Sequence, residues 1–161
     1  MNIYAMTRRC ITGANEYRFY RGFTPSGTGD ALVLPGYPLT LRGGDLELHY
    51  SRDLGITLFP GISLPISEGD SRKAWGRVIW EGHGRHRLNT PFGTVYVAVR
   101  EEEYRILREG AVLGHMRPAQ PGVFPLQTDD WEARMILAAP EPLPEALAMV
   151  LLALPLLQLG P

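Results

Sequence analysis

Between residues 2 and 137, apolar and polar side chains alternate in short runs, and glycines and prolines (eighteen and fourteen in the whole chain) repeatedly interrupt them. A period of two predicts strands with one face on a core, and the Gly/Pro punctuation predicts tight turns between them. Residues 16–21 place Tyr17 and Phe19 on one face and Arg18 on the other. Residues 39–41 and 46–50 read as a hairpin, with Leu46, Leu48 and Tyr50 inward and Glu47 and His49 outward. Gly43 and Gly44 supply the positive φ angles of its loop. Residues 75–80, 85–88, 94–100, 104–108 and 111–116 form the clearest meander, in which Val95, Val97 and Val99 share a face. Its turns fall at 82–84, at 89–93, at 101–103 and at 109–110; in the second, Pro91 presets a dihedral and Gly93 takes the left-handed position. Residues 131–137 predict the last strand, with Trp131, Ala133, Met135 and Leu137 aligned.

Two stretches depart from this pattern. Residues 24–30, with Gly27 and Gly29, predict a loop before a short apolar run at 31–34. Residues 56–66 are apolar but carry Pro60 and Pro65. Proline cannot donate to a ladder, so an edge strand or an irregular crossing is expected there. Residues 67–71 and 118–125 read as loops.

At residue 140 the period changes. Pro144 followed by Glu145 opens a helix, because proline loses no needed hydrogen bond at that position and a carboxylate suits the positive end of the dipole. The helix is expected over about 144–159, with Pro155 bending or ending it. It is apolar on every face, so no side of it suits water. Fifteen residues span about 22 Å, short of the roughly 30 Å of a bilayer core. No lysine, arginine, tryptophan or tyrosine flanks it to fix an orientation. The expectation is therefore one mainly-β domain over residues 1–161. It is an antiparallel β-barrel of about twelve short strands with a buried apolar C-terminal helix. A tail anchor below a β domain is the alternative.

Composition changes this picture little. With 45% hydrophobic and 20% charged residues and a formal charge of −1, the chain reads as globular, and no nucleic-acid partner is expected. The N-terminus lacks the apolar run of a signal peptide and reads as mature protein. Cys10 stands alone, which suits a reducing cytoplasm, and a buried small apolar role is expected for it. Charge is uneven. Residues 72–108 carry a net +4 and residues 109–161 a net −4, an asymmetry that could orient the domain toward an anionic partner.

The strand-rich body centred on residues 75–116, then Asp129-Asp130-Trp131 and the apolar tail, resembles the tubby C-terminal, phospholipid-scramblase and LURP-one-related superfamily. That resemblance implies a closed barrel threaded by the last helix. It also implies membrane association, with phosphoinositide headgroups among the ligands bound in the group. No headgroup-binding motif of that group can be matched to residues of this chain.

Candidate chemistry is sparse. His83 and His86 are three apart, so on a strand they point to opposite faces, and no cysteine or carboxylate lies at ligand spacing. His49 and His115 are isolated. Residues 25–30 carry glycines of the kind that cradle phosphates, but lack the Gly-Lys-Ser/Thr ending and a following helix. Asp129 and Asp130 read as solvated acids at a strand start, and residues 101–103 as a charged turn. No catalytic residue, metal or cofactor is expected. The best lead is an anion-binding set of Arg77, Arg85, Arg87, Arg105 and Arg108 on neighbouring meander strands. The competing expectation pairs those arginines across strands with Glu81 and Glu101 to Glu103. The functional expectation is a non-enzymatic, cytoplasmic binding module at or near the membrane face, with an anionic phospholipid or a protein as partner. A small enzyme with an unrecognised site in the barrel mouth is the second alternative.

Overall fold

The first strand and the last pair with each other, and that pairing closes the sheet into a ring. The computed structural model describes residues 1–32, 38–50, 61, 63–69, 73–120 and 130–157. Among them are twelve strands: β1 (Asn2–Ile11), β2 (Ala14–Arg21), β3 (Thr24–Leu32), β4 (Leu39–Gly43), β5 (Leu46–Tyr50), β6 (Ser63–Glu68), β7 (Lys73–Gly82), β8 (Arg85–Thr90), β9 (Gly93–Arg100), β10 (Glu103–Arg108), β11 (Ala111–Pro118) and β12 (Glu132–Ala139). Each is antiparallel to the next, so the barrel is a simple meander in which every described strand has a partner on both sides.

The chain ends in α1 (Glu145–Ala153) and a 3-10 turn (Leu154–Leu157). Residues Leu147 to Ala153 are all buried. They belong to one hydrophobic cluster with inward side chains of the strands, among them Tyr4, Phe19, Leu41, Tyr50, Val78 and Leu137. The α-helix is shorter than expected, and Pro155 is the reason. Having no N–H, Pro155 cannot bond the Leu151 carbonyl. The Leu154 N–H turns to that carbonyl instead. The shift takes from Val150 its own helical donor, and the Tyr50 hydroxyl of β5 donates to the Val150 carbonyl at 3.4 Å. Burial raises the Tyr50 pKa far above its ordinary range, so the phenol remains a neutral donor. At the other end of the segment the Tyr4 hydroxyl accepts from the Leu143 N–H at 2.8 Å and lies 3.3 Å from the Leu143 carbonyl.

Five expectations need correction. Residues 24–30 are not a loop; they lie in β3, paired with β2 and β4. Their glycines answer to close approach rather than to turning. A Cβ on Gly27 would lie 2.4 Å from the Met149 sulfur, and one on Gly29 would lie 3.1 Å from Leu41. Gly43 is likewise a strand residue whose Cβ would stand 2.9 Å from the Met149 methyl, so only Gly44 turns the hairpin, at φ 58°.

Pro65 does not mark a sheet edge, because β6 is paired on both sides. It sits opposite Arg77, and the described pairing with β5 begins one residue later, at Ile66. Pro60, the rest of 56–60, residues 33–34, 70–71 and 121–125, Asp129 and Leu159 lie outside the described residues.

Trp131 does not align with Met135 and Leu137. Between Met6 and Thr7 of β1 the partner jumps from Met135 to Ala133, so β12 bulges by one residue at Arg134. A one-residue slip exchanges the two faces of a strand. Met135, Leu137 and Ala139 therefore enter the core cluster while Trp131 and Ala133 do not. Cys10, finally, is exposed: it lies past the core's rim, two residues before the turn at 12–13.

The tightest strand contact is at Gly76, where a Cβ would fall 2.2 Å from the Asn89 carbonyl oxygen, a backbone atom that cannot swing away. Gly76→Ala should force β7 and β8 apart and lower stability by about 2 kcal/mol or more. The shift of the urea midpoint measures this, and an unchanged midpoint would refute the contact.

Candidate basic face on the outer wall

On β8, His86 and Leu88 are buried, which turns Arg85 and Arg87 outward; Arg85 is exposed and Arg87 half-buried. On β9, Val95 and Val97 point in and Tyr96 points out, 44% exposed. The ladders then set two rows across the outer wall. One runs Arg85, Ala98, Arg105, His115, and the next runs Ile79, Arg87, Tyr96, Leu107, Val112. Strands stand about 4.8 Å apart, so Arg85 and Arg105 rise roughly 10 Å from each other on either side of Ala98. Both side chains are long enough to converge on one ligand.

Three of the five expected arginines thus share a patch: Arg85, Arg87 and Arg105. The other two are held at its flank. Arg77 donates to the Ser63 hydroxyl, and Arg108 donates to the Phe92 carbonyl at 3.0 Å in the turn between β8 and β9. The competing expectation, pairing with Glu81 and Glu101 to Glu103, is not what the geometry gives. Among the described residues none of the five arginines forms an ion pair with a carboxylate; the ion pairs there join Arg8 and Arg134 to Glu132, Arg9 to Glu16, and Arg42 to Asp30 and Glu47. The acids of the β9–β10 turn instead take an unusual backbone, with Glu101 at φ 51° and Glu102 at φ 68°, where glycine or asparagine is the ordinary choice.

A positive, forked and partly desolvated group of this kind recognises anions. Leu107 and Val112 give the patch an apolar component beside the tyrosine ring. Tyr96 was legible as an outward residue of a strictly alternating strand. His115 was not, because its place opposite Arg105 depends on the register between β10 and β11.

Inside the wall, behind Arg85 and Arg87, His86 is 7% exposed and faces Trp80 across the ladder. His86 Nδ1 and Trp80 Nε1 are both buried without a hydrogen-bond partner. His83, by contrast, is exposed in the turn at φ 52°, so the two histidines do not converge. Among the described residues no three histidine, cysteine or acidic side chains gather as metal ligands do.

No family model, no curated protein and no solved structure matches this chain.

Burial holds the His86 imidazole below its ordinary pKa of 6.5. The unfolded chain therefore binds that proton more readily than the folded one. The stability linked to His86 is complete above about pH 6.5 and is lost as pH falls below it. His86→Leu should flatten the decline of the melting temperature below that pH relative to the native chain. Parallel curves for the two proteins would show that His86 is not the titrating group.

Proposed function

We propose that this chain is a non-enzymatic binding module that lays the outer face of β8–β10 on an anionic phospholipid surface. The observation that carries this reading is the set of Arg85, Arg87 and Arg105, unpaired with any described carboxylate and grouped around exposed Tyr96. A barrel wall offers breadth rather than depth, which suits a surface better than a small molecule. An amphipathic aromatic among arginines is also suited to the headgroup level of a bilayer.

The C-terminal segment we read as a plug. A barrel of eight strands is just filled by its own side chains, so twelve strands enclose room to spare. The apolar cluster shared by α1 and the strands supports a helix occupying that room. Among the described residues no helix is long and apolar enough to cross a membrane. Order and number of elements, twelve antiparallel strands and then one apolar helix, also support kinship with the tubby, scramblase and LURP-one-related group, and with it the lipid reading.

Two experiments test these statements. The chain should co-sediment with phosphatidylserine-containing vesicles and not with pure phosphatidylcholine, and added salt should weaken the binding. At ~1 kcal/mol for each arginine near such a surface, Arg85→Ala, Arg87→Ala and Arg105→Ala combined should reduce binding about a hundredfold. Unaltered sedimentation of that variant would end the lipid reading, and capture by an acidic peptide alone would transfer the face to a protein partner. Deleting residues 145–161 should abolish cooperative unfolding, whereas a soluble, cooperatively folded barrel without them would refute the plug.

A further inference from the structure

The opposite side of the ring carries a second arrangement that the basic face does not explain. The bulge at Arg134 of β12 turns Trp131 onto the outside of the barrel, yet the residue is only 8% exposed. Two guanidinium groups lie against it: Arg18 with its central carbon 4.0 Å from the ring centroid, and Arg9 at 4.8 Å. Beneath the overhang runs a cleft of about 420 Å³. Its floor is the outward face of β2, Ala14, Glu16 and Arg18, and its far side is Thr28 and Asp30 of β3. Ile11 and the Trp131 ring supply apolar wall. That volume lies within the range of small-molecule sites.

The charges of this cleft differ from one another in what they face. Glu16 is held by Arg9 at 2.7 Å, and Asp30 by Arg42 at 2.6 Å. Arg18 has no carboxylate partner among the described residues; its face is covered by indole and its edge is left to the cleft. A stacked guanidinium is oriented and partly stripped of water on its faces, so its in-plane N–H groups present a fixed fork to an oxygen pair. With both acids paired to arginines, Arg18 is the one charge of the cleft left without a counter-ion among the described residues, and one carboxylate matches it while a dianion would carry a charge in excess. The apolar wall then calls for a hydrocarbon or aromatic body on that carboxylate.

We propose that this cleft binds a small amphipathic monoanion, a carboxylic acid with an apolar body. The carboxylate takes the fork of Arg18, and the body lies against Trp131 and Ile11. The site lies on β1–β3 and the start of β12, apart from the basic face, and stands or falls separately from it.

The test is a titration of the full-length, ¹⁵N-labelled chain with phenylacetate, hexanoate, phenylacetamide and inorganic phosphate, without vesicles, following the Arg18 Nε–H and Trp131 indole N–H resonances. Both acids should shift them saturably, and the neutral amide and phosphate should bind more weakly. Removing one charged hydrogen-bonding partner by Arg18→Gln should weaken phenylacetate by about tenfold or more. Arg18→Lys, which keeps the charge and loses the fork, should fall between that variant and the native chain. The combined Arg85, Arg87 and Arg105 alanine variant should bind phenylacetate as the native chain does. Arg18 is exposed, so its replacements should keep the native far-ultraviolet circular dichroism. The proposal is overturned if neither acid shifts these resonances, if the amide or phosphate binds as well as phenylacetate, or if Arg18→Gln binds it undiminished.

Discussion

One buried hydrogen bond shows what this architecture has to solve. The Tyr50 hydroxyl on β5 reaches the Val150 carbonyl of α1 because Pro155, five residues on, has displaced the helical ladder by one partner. Left alone, that carbonyl would be a polar atom in an apolar core, at a cost of about 1–3 kcal/mol. Backbone groups that a helix leaves without a helical partner among buried side chains need partners from neighbouring elements. Here the strands provide the partners: Tyr50 toward the C-terminal end and Tyr4 at Leu143, just ahead of the first turn. These two bonds also fix the helix along its axis, which a uniformly apolar surface cannot do by itself.

The rest of the interior is shaped to that position. Met149 lies against the wall where two strands carry glycine, at Gly27 and Gly43. Gly29 likewise lies against Phe19 and Leu41. Glycine in a strand is ordinarily a loss of order and packing. These glycines are tolerated because each lies where a Cβ would meet a neighbour. Helix placement and strand composition are therefore one constraint seen from two sides.

This explains which parts of the fold could be read from sequence. Alternation in 46–50, 94–100 and 104–108 exposed the meander directly, since each strand there shows core residues at every second place. The helix start was legible because Pro144 and Glu145 act locally. The same local rules misread β3, where Gly27 and Gly29 carry the signature of a loop although the first answers to a methionine over a hundred residues away and the second to Phe19 and Leu41. Closure of β1 on β12 has no local signal, and neither does the bulge that turns Trp131 outward between Arg9 and Arg18. On the candidate face, alternation in β8 placed Arg85 and Arg87 side by side. Joining them to Arg105 required the register through Ala98.

The two outer walls handle the same residue type in opposite ways. Around β1 to β5, Arg9 and Arg42 each hold a carboxylate at hydrogen-bonding distance, so that wall is nearly neutral. Such exposed pairs contribute at most about 1 kcal/mol to stability. Their main consequence is local cancellation of charge. Across β8 to β10 that cancellation is absent among the described residues. Folding gains nothing from that arrangement, because grouped cations repel. On a chain whose formal charge is −1, three cations grouped without carboxylates give this wall a local positive field. Arg18 sits between the two regimes: its neighbours are paired as on the neutral wall, while it alone keeps its charge beside a tryptophan ring. A single uncompensated cation matches one negative charge, where the opposite wall presents three cations together.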